Sequence, residues 1–407
     1  MSSPLRIAYM TGEYLRVSPF VFIYREISAL RRAGVHVETI SVRGVSESEC
    51  VSPEQKAERE TTYVLVPFSI GALAKAHGRL KFTAPGRYLR ALRLAWSTRQ
   101  PGIKGLLYQL AYFLEAGLVA ERMRQRGLVH LHNHLGASSC TVAMLAAELG
   151  GFTFSCSLHG PDIFFEPYRW RLDAKLKRAL FVCCISHFCR SQAMIWTPPE
   201  RWDRLHIIHC GVEPEVFEPR QHDGAGKRLI FVGRLAAVKG IPILLEAIAH
   251  LRDAHPDIEL VLAGDGPDRG WIERRSQELG IANCVRVTGY LSQDRVREEL
   301  RASDVFVMAS FAEGVPVVLM EAMATGLPVI ATRIAGIAEL VDDGESGFLT
   351  PPSDTDSLVE RIDTLLRDPQ LRSRMGIAGR QKVESDFDTA KEGGKLRKIL
   401  DAALNDR

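Results

Sequence analysis

Two carboxylates eight residues apart, Glu313 and Glu321, and two cations, Arg234 and Lys239, are the side chains of this 407-residue chain best placed for chemistry. The acids lie in Ser310-Phe-Ala-Glu-Gly-Val-Pro-Val-Val-Leu-Met-Glu321, after an apolar run, Val305 to Ala309, that reads as a buried strand. Gly314 tolerates unusual backbone angles and lets a ligand approach, and Pro316 suits a first helical turn, where a missing N–H costs little. A helix starting there presents free N–H groups and a positive dipole end, which favours an anion such as phosphate. Glu321, further along that helix, faces the same side, so the expected ligand carries phosphate and hydroxyls together. Phe231-Val-Gly-Arg-Leu-Ala-Ala-Val-Lys-Gly240 likewise follows a strand and precedes a helix. Gly233 relaxes its turn, and Arg234 and Lys239 reach the edge where a diphosphate leaving group needs neutralising.

Other candidates carry less. Val129-His-Leu-His-Asn-His134 puts His130, His132 and His134 on one face of an extended strand, a spacing that could hold zinc. The strand is expected to end at His132, and no nearby Cys, Asp or Glu completes the set, so no metal is expected. His159, in Ser157-Leu-His-Gly-Pro-Asp162, ends an apolar strand, which points its imidazole at a sheet's carboxyl edge. Leu262-Ala-Gly-Asp-Gly-Pro-Asp-Arg-Gly270 has the look of a dinucleotide fingerprint, but its third glycine is one residue late and no acidic ribose partner follows. Asp354-Thr-Asp356 reads as a helix cap, and Asp386-Phe-Asp388 as part of a polar tail.

The elements that must hold these groups alternate between strand and helix. Strand Leu5–Met10, helix Phe20–Ala33 and strand Val35–Val42 make one β-α-β unit, and Leu128–His132, Phe152–Leu158, Phe181–Ile185 and Leu205–Ile208 continue it. A proline- and glycine-containing linker, His209 to Lys227, precedes a second series from Leu229 to Ala331. The reading is α/β: two facing Rossmann-like, doubly wound domains with a cleft between them, residues 1–210 and 211–385, and a helix at 386–407.

Composition sets the class. With 46% hydrophobic and 25% charged residues the chain is globular, and a net charge of +3 gives no footprint for nucleic acid. The start, Leu5 to Met10, reads as a strand and not as a signal peptide, and no stretch is expected to approach the roughly twenty apolar residues of a membrane span. The cysteines contain no C-x-x-C pair and are expected as buried free thiols in a reducing cytoplasm. Between Thr61 and Leu114 there is no acidic residue, while Lys75, Arg79, Lys81, Arg87, Arg90, Arg93, Arg99 and Lys104 alternate with apolar side chains. Such a surface suits anionic lipid headgroups; the plainer alternative is a solvated helical face.

Taken together, V-G-R-L-A-A-V-K-G, L-A-G-D-G-P, V-T-G-Y-L, the Ser310 to Ile330 block and G-I-A-E-L-V-D-D-G-E-S-G-F-L resemble the retaining glycosyltransferases of family 4, of GT-B fold. S-P-F-V-F-I-Y-R-E-I-S-A-L, V-H-L-H-N-H and S-L-H-G-P-D-I look like the branch that builds bacterial exopolysaccharides and lipid-linked saccharides. The resemblance implies a retaining hexosyltransferase, with a nucleotide-diphosphate sugar as donor, a saccharide or lipid-linked acceptor, and no cofactor. It assigns Arg234 and Lys239 to the diphosphate, Glu321 to the ribose and Glu313 to the donor sugar. Gly233 and the backbone of Gly314, Val315, Pro316 and Val317 fall against sugar and phosphate, Tyr290 and Leu291 near the base, and His159 near the reacting face. It also implies that the last helix returns to the first domain. Where many members carry a double-glycine loop after the first strand, only Gly12 is present, with Arg16 and Ser18 as further candidates. A nucleotide-sugar epimerase or phosphorylase of the same fold, and a non-catalytic binding scaffold, stay open as alternatives. The expected location is the cytoplasm, at the inner membrane face if the basic stretch binds lipid.

Overall fold

The computed structural model describes residues 5–15, 17–50, 52–220 and 226–405. Two units emerge, Met1–His209 with Ala390–Arg407, and Cys210–Thr389. Each is built on a parallel sheet whose central strands are buried. In the first unit the strands are β1 (Arg6–Glu13), β2 (His36–Arg43), β3 (Tyr63–Val66), β4 (His130–His134), β5 (Thr153–Leu158), β6 (Val182–Cys184) and β7 (Leu205–Ile207). Their order is β3-β2-β1-β4-β5-β6-β7, all parallel. The second unit holds β8 (Arg228–Val232), β9 (Glu259–Ala263), β10 (Val285–Gly289), β11 (Val305–Met308), β12 (Val329–Thr332) and β13 (Gly347–Thr350). Their order is β10-β9-β8-β11-β12-β13, again parallel. In both sheets the order reverses beside the unit's first strand, between β1 and β4 and between β8 and β11. A parallel sheet binds ligands at the carboxyl end of such a reversal.

The final helix, Thr389–Asn405, joins the first unit. Its Leu396 and Leu400 are fully buried in one apolar cluster with Ile7, Ile23, Ile27 and Leu30. Just before it, the chain is tied to the second unit: Val212 N–H donates to the Phe387 carbonyl and Thr389 N–H to the Val212 carbonyl, both at 2.9 Å. Phe387 is buried, so Asp386-Phe-Asp388 is not the polar tail expected of it. Asp354 does cap a helix, accepting from the Ser357 N–H at 3.0 Å.

Several expectations need correcting. β1 runs on past Met10 to Glu13, because Thr11 and Glu13 continue the pairing with Ser41 and Arg43. Gly12 therefore lies inside an extended strand and not in a loop after it. β4 runs to His134, paired there with Ser157 of β5. The edge strands β3 and β13 were not anticipated; a four-residue strand is too short to show a period.

The basic stretch forms three helices, Ile70–Thr83, Pro85–Thr98 and Gly102–Arg126. The last, 25 residues long, is by length and composition apolar enough to cross a membrane, contrary to expectation. The stretch from Phe113 to Met123, including Leu118 and Val119, is largely buried, so that part of its apolarity is a demand of the core. Two of the arginines are engaged within the fold: Arg87 donates to the Gly150 carbonyl at 2.9 Å, and Arg90 pairs with Glu148 at 2.7 Å. All eight cysteines are free thiols and buried.

The last helix offers a paired test of this packing. A Cβ at Gly394 meets nothing within 4 Å, whereas one at Gly393 comes 2.7 Å from the Ala29 Cβ. Gly394→Ala is expected to stabilise the protein by up to about 1 kcal/mol, through helix propensity. Gly393→Ala is expected to destabilise it by about 1–3 kcal/mol through overpacking. Urea denaturation followed by circular dichroism reads both, and the two substitutions shifting the midpoint in the same direction would contradict this placement of the helix.

Candidate active site

In the second unit the site is built where β8 and β11 end. Gly240 adopts φ +63°, and a Cβ there would lie 1.9 Å from the Ala309 carbonyl oxygen. Phe311 N–H donates to the Val238 carbonyl at 2.8 Å, so the two loops lie backbone to backbone. Gly264, at φ +151°, is pressed in the same way, its hypothetical Cβ 1.9 Å from the Gly233 carbonyl oxygen. The glycines of Leu262-Ala-Gly-Asp-Gly-Pro thus serve loop packing, with Leu235 N–H donating to the Asp265 carbonyl at 2.9 Å.

That packing brings Lys239 Nζ to 2.6 Å from Glu313 Oε1, both side chains largely buried. The expected cation for the diphosphate and the expected sugar carboxylate are therefore partners of each other in this structure. The helix Val317–Ala324 starts directly after Glu313-Gly-Val-Pro, with Pro316 at the N-cap, one position before the first turn expected for it. Glu321 lies one turn into that helix, partly buried. Gly314 is held by its carbonyl, which accepts from Gly336 N–H at 3.2 Å, and Val315 and Pro316 are buried. Ser310 Oγ, just after β11, is buried without a hydrogen-bond partner, as are Thr11 Oγ1 and Asn133 Oδ1 at the corresponding edge of the first sheet. Arg234 and Tyr290 are exposed and Leu291 partly so. A helix N-terminus beside a lysine, with carboxylates on either side of the turn, can bind an anion and the hydroxyls attached to it.

At the β1/β4 edge of the first unit the chemistry is neutral and hydrogen-bonded. Register sets His130, His132 and His134 opposite Thr153, Ser155 and Ser157. His130 contacts the Thr153 and Ser155 hydroxyls, both at 2.8 Å. His132 contacts Ser155 at 2.8 Å and Ser157 at 2.9 Å. His134 Nε2 lies 2.5 Å from His159 Nε2, and its Nδ1 2.6 Å from the Tyr9 hydroxyl, which also bonds Glu26. Phe22 packs on His159, ring centroids 4.9 Å apart. Burial holds His132, His134 and His159 neutral, with His132 and His159 each lowered to about 3 and His134 also well below the usual range. Glu26 is raised to about 7, chiefly by burial, with the Tyr9 hydroxyl acting the other way and Glu392 nearby adding to the rise.

Glu26, His132 and His134 bring possible metal-ligand atoms within 4.8 Å of one another, so an acid does stand beside the histidines, contrary to expectation. Each ring nitrogen of His132 and His134 already faces a hydroxyl or another imidazole, and a metal would have to displace those contacts. Of the proposed N-domain donor contacts, Gly12 has no atom within 4 Å of a would-be Cβ. Arg16 and the side chain of Ser18 lie outside the described residues.

Residues 212–382 match the family model for glycosyl transferases group 1. The alpha-D-kanosaminyltransferase of Streptomyces kanamyceticus is 33% identical over 303 residues, covering 69% of this chain and 78% of that protein. The chain belongs to the group 1 glycosyltransferases. Along nearly its whole length this glycosyltransferase is also similar to the putative colanic acid biosynthesis glycosyltransferase WcaL of Escherichia coli strain K12, 25% identical over 402 residues, covering 95% of this chain and 97% of that protein. Among solved structures it shares its fold with Anabaena Alr3699/HepE in complex with UDP-glucose, at a TM-score of 0.75 and 17% identity over 98% of this chain and 100% of that one. The two Rossmann-like parallel-sheet units are those of GT-B glycosyltransferases.

Sequence reasoning passed over Glu26, Tyr9 and the hydroxyl ladder of β5. Signals were present: Glu26 falls on the helix face of buried Ile23, Ile27 and Leu30, where an acid is out of place, and Thr153, Ser155 and Ser157 alternate along a strand otherwise apolar.

Proposed function

We propose that this group 1 glycosyltransferase is a retaining hexosyltransferase that moves a sugar from a nucleotide-diphosphate sugar to a saccharide or lipid-linked acceptor in bacterial cell-surface polysaccharide synthesis. The observation that carries the reading is the Lys239–Glu313 pair at the start of the helix Val317–Ala324, on the edge where the strand order reverses. In this reading the diphosphate lies against Arg234, Lys239 and the helix N-terminus, which stabilise the charge that grows as it leaves. Glu321 takes the ribose hydroxyls, Glu313 and the backbone of Gly314 to Val317 take sugar and phosphate, and Gly233, Tyr290 and Leu291 lie toward the nucleotide. In the same reading His159 lies near the reacting face of the sugar and Gly12 is a further candidate contact of the donor. With the acceptor hydroxyl entering on the face the diphosphate leaves, no covalent nucleophile is needed. The cations do the electrostatic work, so no metal or cofactor is required. Similarity to proteins named for colanic acid and amylovoran biosynthesis supports the cell-surface role.

The proposal extends to a cytoplasmic location against an anionic membrane surface. Around the turn between helices Pro85–Thr98 and Gly102–Arg126, Trp96, Ile103, Leu106 and Leu107 are exposed, with Arg93 and Lys104 exposed among them. Each such cation is worth about 1 kcal/mol near a lipid surface, and the apolar side chains add area to bury.

Two experiments test these readings. Incubation with UDP-, GDP- and ADP-sugars and candidate acceptors should give transfer with the donor's anomeric configuration, seen by NMR of the product, and should be unaffected by EDTA. In that assay Glu321→Ala should weaken donor binding about tenfold to a hundredfold, and Lys239→Ala should lower kcat by about 10²–10³. Near wild-type kinetics in both variants, or inversion at the anomeric carbon, would sink the assignment. Sedimentation with phosphatidylglycerol vesicles should fall at least tenfold for Arg93→Glu combined with Lys104→Glu; equal sedimentation would leave the stretch a solvated face.

A further inference from the structure

Glu26, Tyr9, His134 and His159 form a chain of hydrogen bonds across helix Val17–Arg32, β1, β4 and the end of β5. Its members donate few protons: one from the tyrosine hydroxyl, one from each neutral imidazole, and none from an ionised carboxylate. Direction is therefore shared along the chain. With Glu26 ionised, Tyr9 O–H donates to it, so the tyrosine oxygen accepts from His134 Nδ1–H. His134 Nε2 is then an acceptor, and His159 must donate from Nε2–H. With a proton on Glu26 every bond can reverse: Glu26 donates to Tyr9, Tyr9 to His134 Nδ1, and His134 Nε2–H to His159 Nε2. His159 then carries its own proton on Nδ1. Going from the first state to the second takes up one proton in all, and the charge it cancels is that of Glu26.

We propose that Glu26 is a positioning residue which, through Tyr9 and His134, sets which ring nitrogen of His159 bears the proton. The groups around it suit a switch near neutral pH. Helix Thr389–Asn405 contributes Glu392, itself paired with Lys395 at 2.5 Å, and Glu392 opposes ionisation of Glu26. β1 contributes Tyr9 and β4 contributes His134, 3.7 Å from the carboxylate; His132 lies beside His134, and Cys183 of β6 is close enough to feel the Glu26 charge. Largely buried among these, the Glu26 carboxyl is raised to about 7, within the range where a carboxylate of ordinary acidity would stay ionised. The relay itself stands on geometry. Its consequence rests on the reading that His159 faces the sugar: above the Glu26 midpoint His159 carries its proton on Nε2, and below it on Nδ1.

The full-length protein labelled with [¹⁵N]histidine, read by two-bond ¹H–¹⁵N correlation between pH 6 and 8.5 without substrate, tests this. The His159 signals, assigned by their loss in His159→Asn, should change from the Nδ1–H to the Nε2–H pattern as pH rises through about 7. In Glu26→Gln and Tyr9→Phe, each checked by circular dichroism for native structure, that change should vanish. If Tyr9→Phe does not fold, Glu26→Gln decides alone. One tautomer throughout in the wild type, or an unchanged midpoint in Glu26→Gln, would overturn the relay. Under the transferase reading kcat/KM should fall about tenfold per pH unit below that midpoint in the wild type and lose this limb in Glu26→Gln. A tautomer change with a flat rate profile would overturn its link to transfer while leaving the relay standing.

Discussion

Everything chemical in this protein hangs on one property of parallel sheets: where strand order reverses, the chains leaving two adjacent strands turn to opposite faces and leave their carboxyl ends uncovered. The chain makes this reversal twice, beside β1 and beside β8. Three of its buried polar atoms without a hydrogen-bond partner, Thr11 Oγ1, Asn133 Oδ1 and Ser310 Oγ, fall at these edges. In the second unit the reversal also dictates glycine. The loops after β8, β9 and β11 approach so closely at Gly240 and Gly264 that a methyl group would overlap a neighbouring carbonyl.

The two edges solve different electrostatic problems. In the second unit a lysine and a glutamate neutralise each other beside a helix N-terminus, a set of charges ready to rearrange around an anion. Truncating one member of a largely buried pair leaves the other uncompensated, so Lys239 and Glu313 constrain each other as much as any ligand. In the first unit the edge is kept nearly free of charge. His130 and His132 share hydroxyls along β5, burial keeps His132, His134 and His159 neutral, and the carboxylate beside them, Glu26, is raised toward neutral pH. Such a network is costly if half satisfied and rigid when complete, which suits side chains that must present a defined donor or acceptor.

The helices from Ile70 to Arg126 show one stretch of sequence serving two demands. Arg87 and Arg90 fasten the middle helix to its neighbours, and the stretch from Phe113 to Met123 is largely core, while Trp96, Ile103 and Leu107 face outward. Composition alone makes these residues look like one surface. Only the folded structure shows which of the exposed arginines also bond a neighbouring element.

The sequence by itself determined the alternation of strand and helix, the two parallel-sheet units, and the turn at Glu313-Gly-Val-Pro, because these depend on local periodicity and on residues with restricted backbone choices. It pointed to Lys239 and Glu313 separately, and to His159 as the end of a strand. Tertiary structure decided their partners. Lys239 meets Glu313 from 74 positions away, and His134 meets Tyr9 from 125. Pairing register, which periodicity does not encode, kept Gly12 within β1 and carried β4 on to His134, where Glu26 of the neighbouring helix completes the network. A side chain's type is local, but its pKa, its tautomer and its charge partner belong to whatever the fold packs against it.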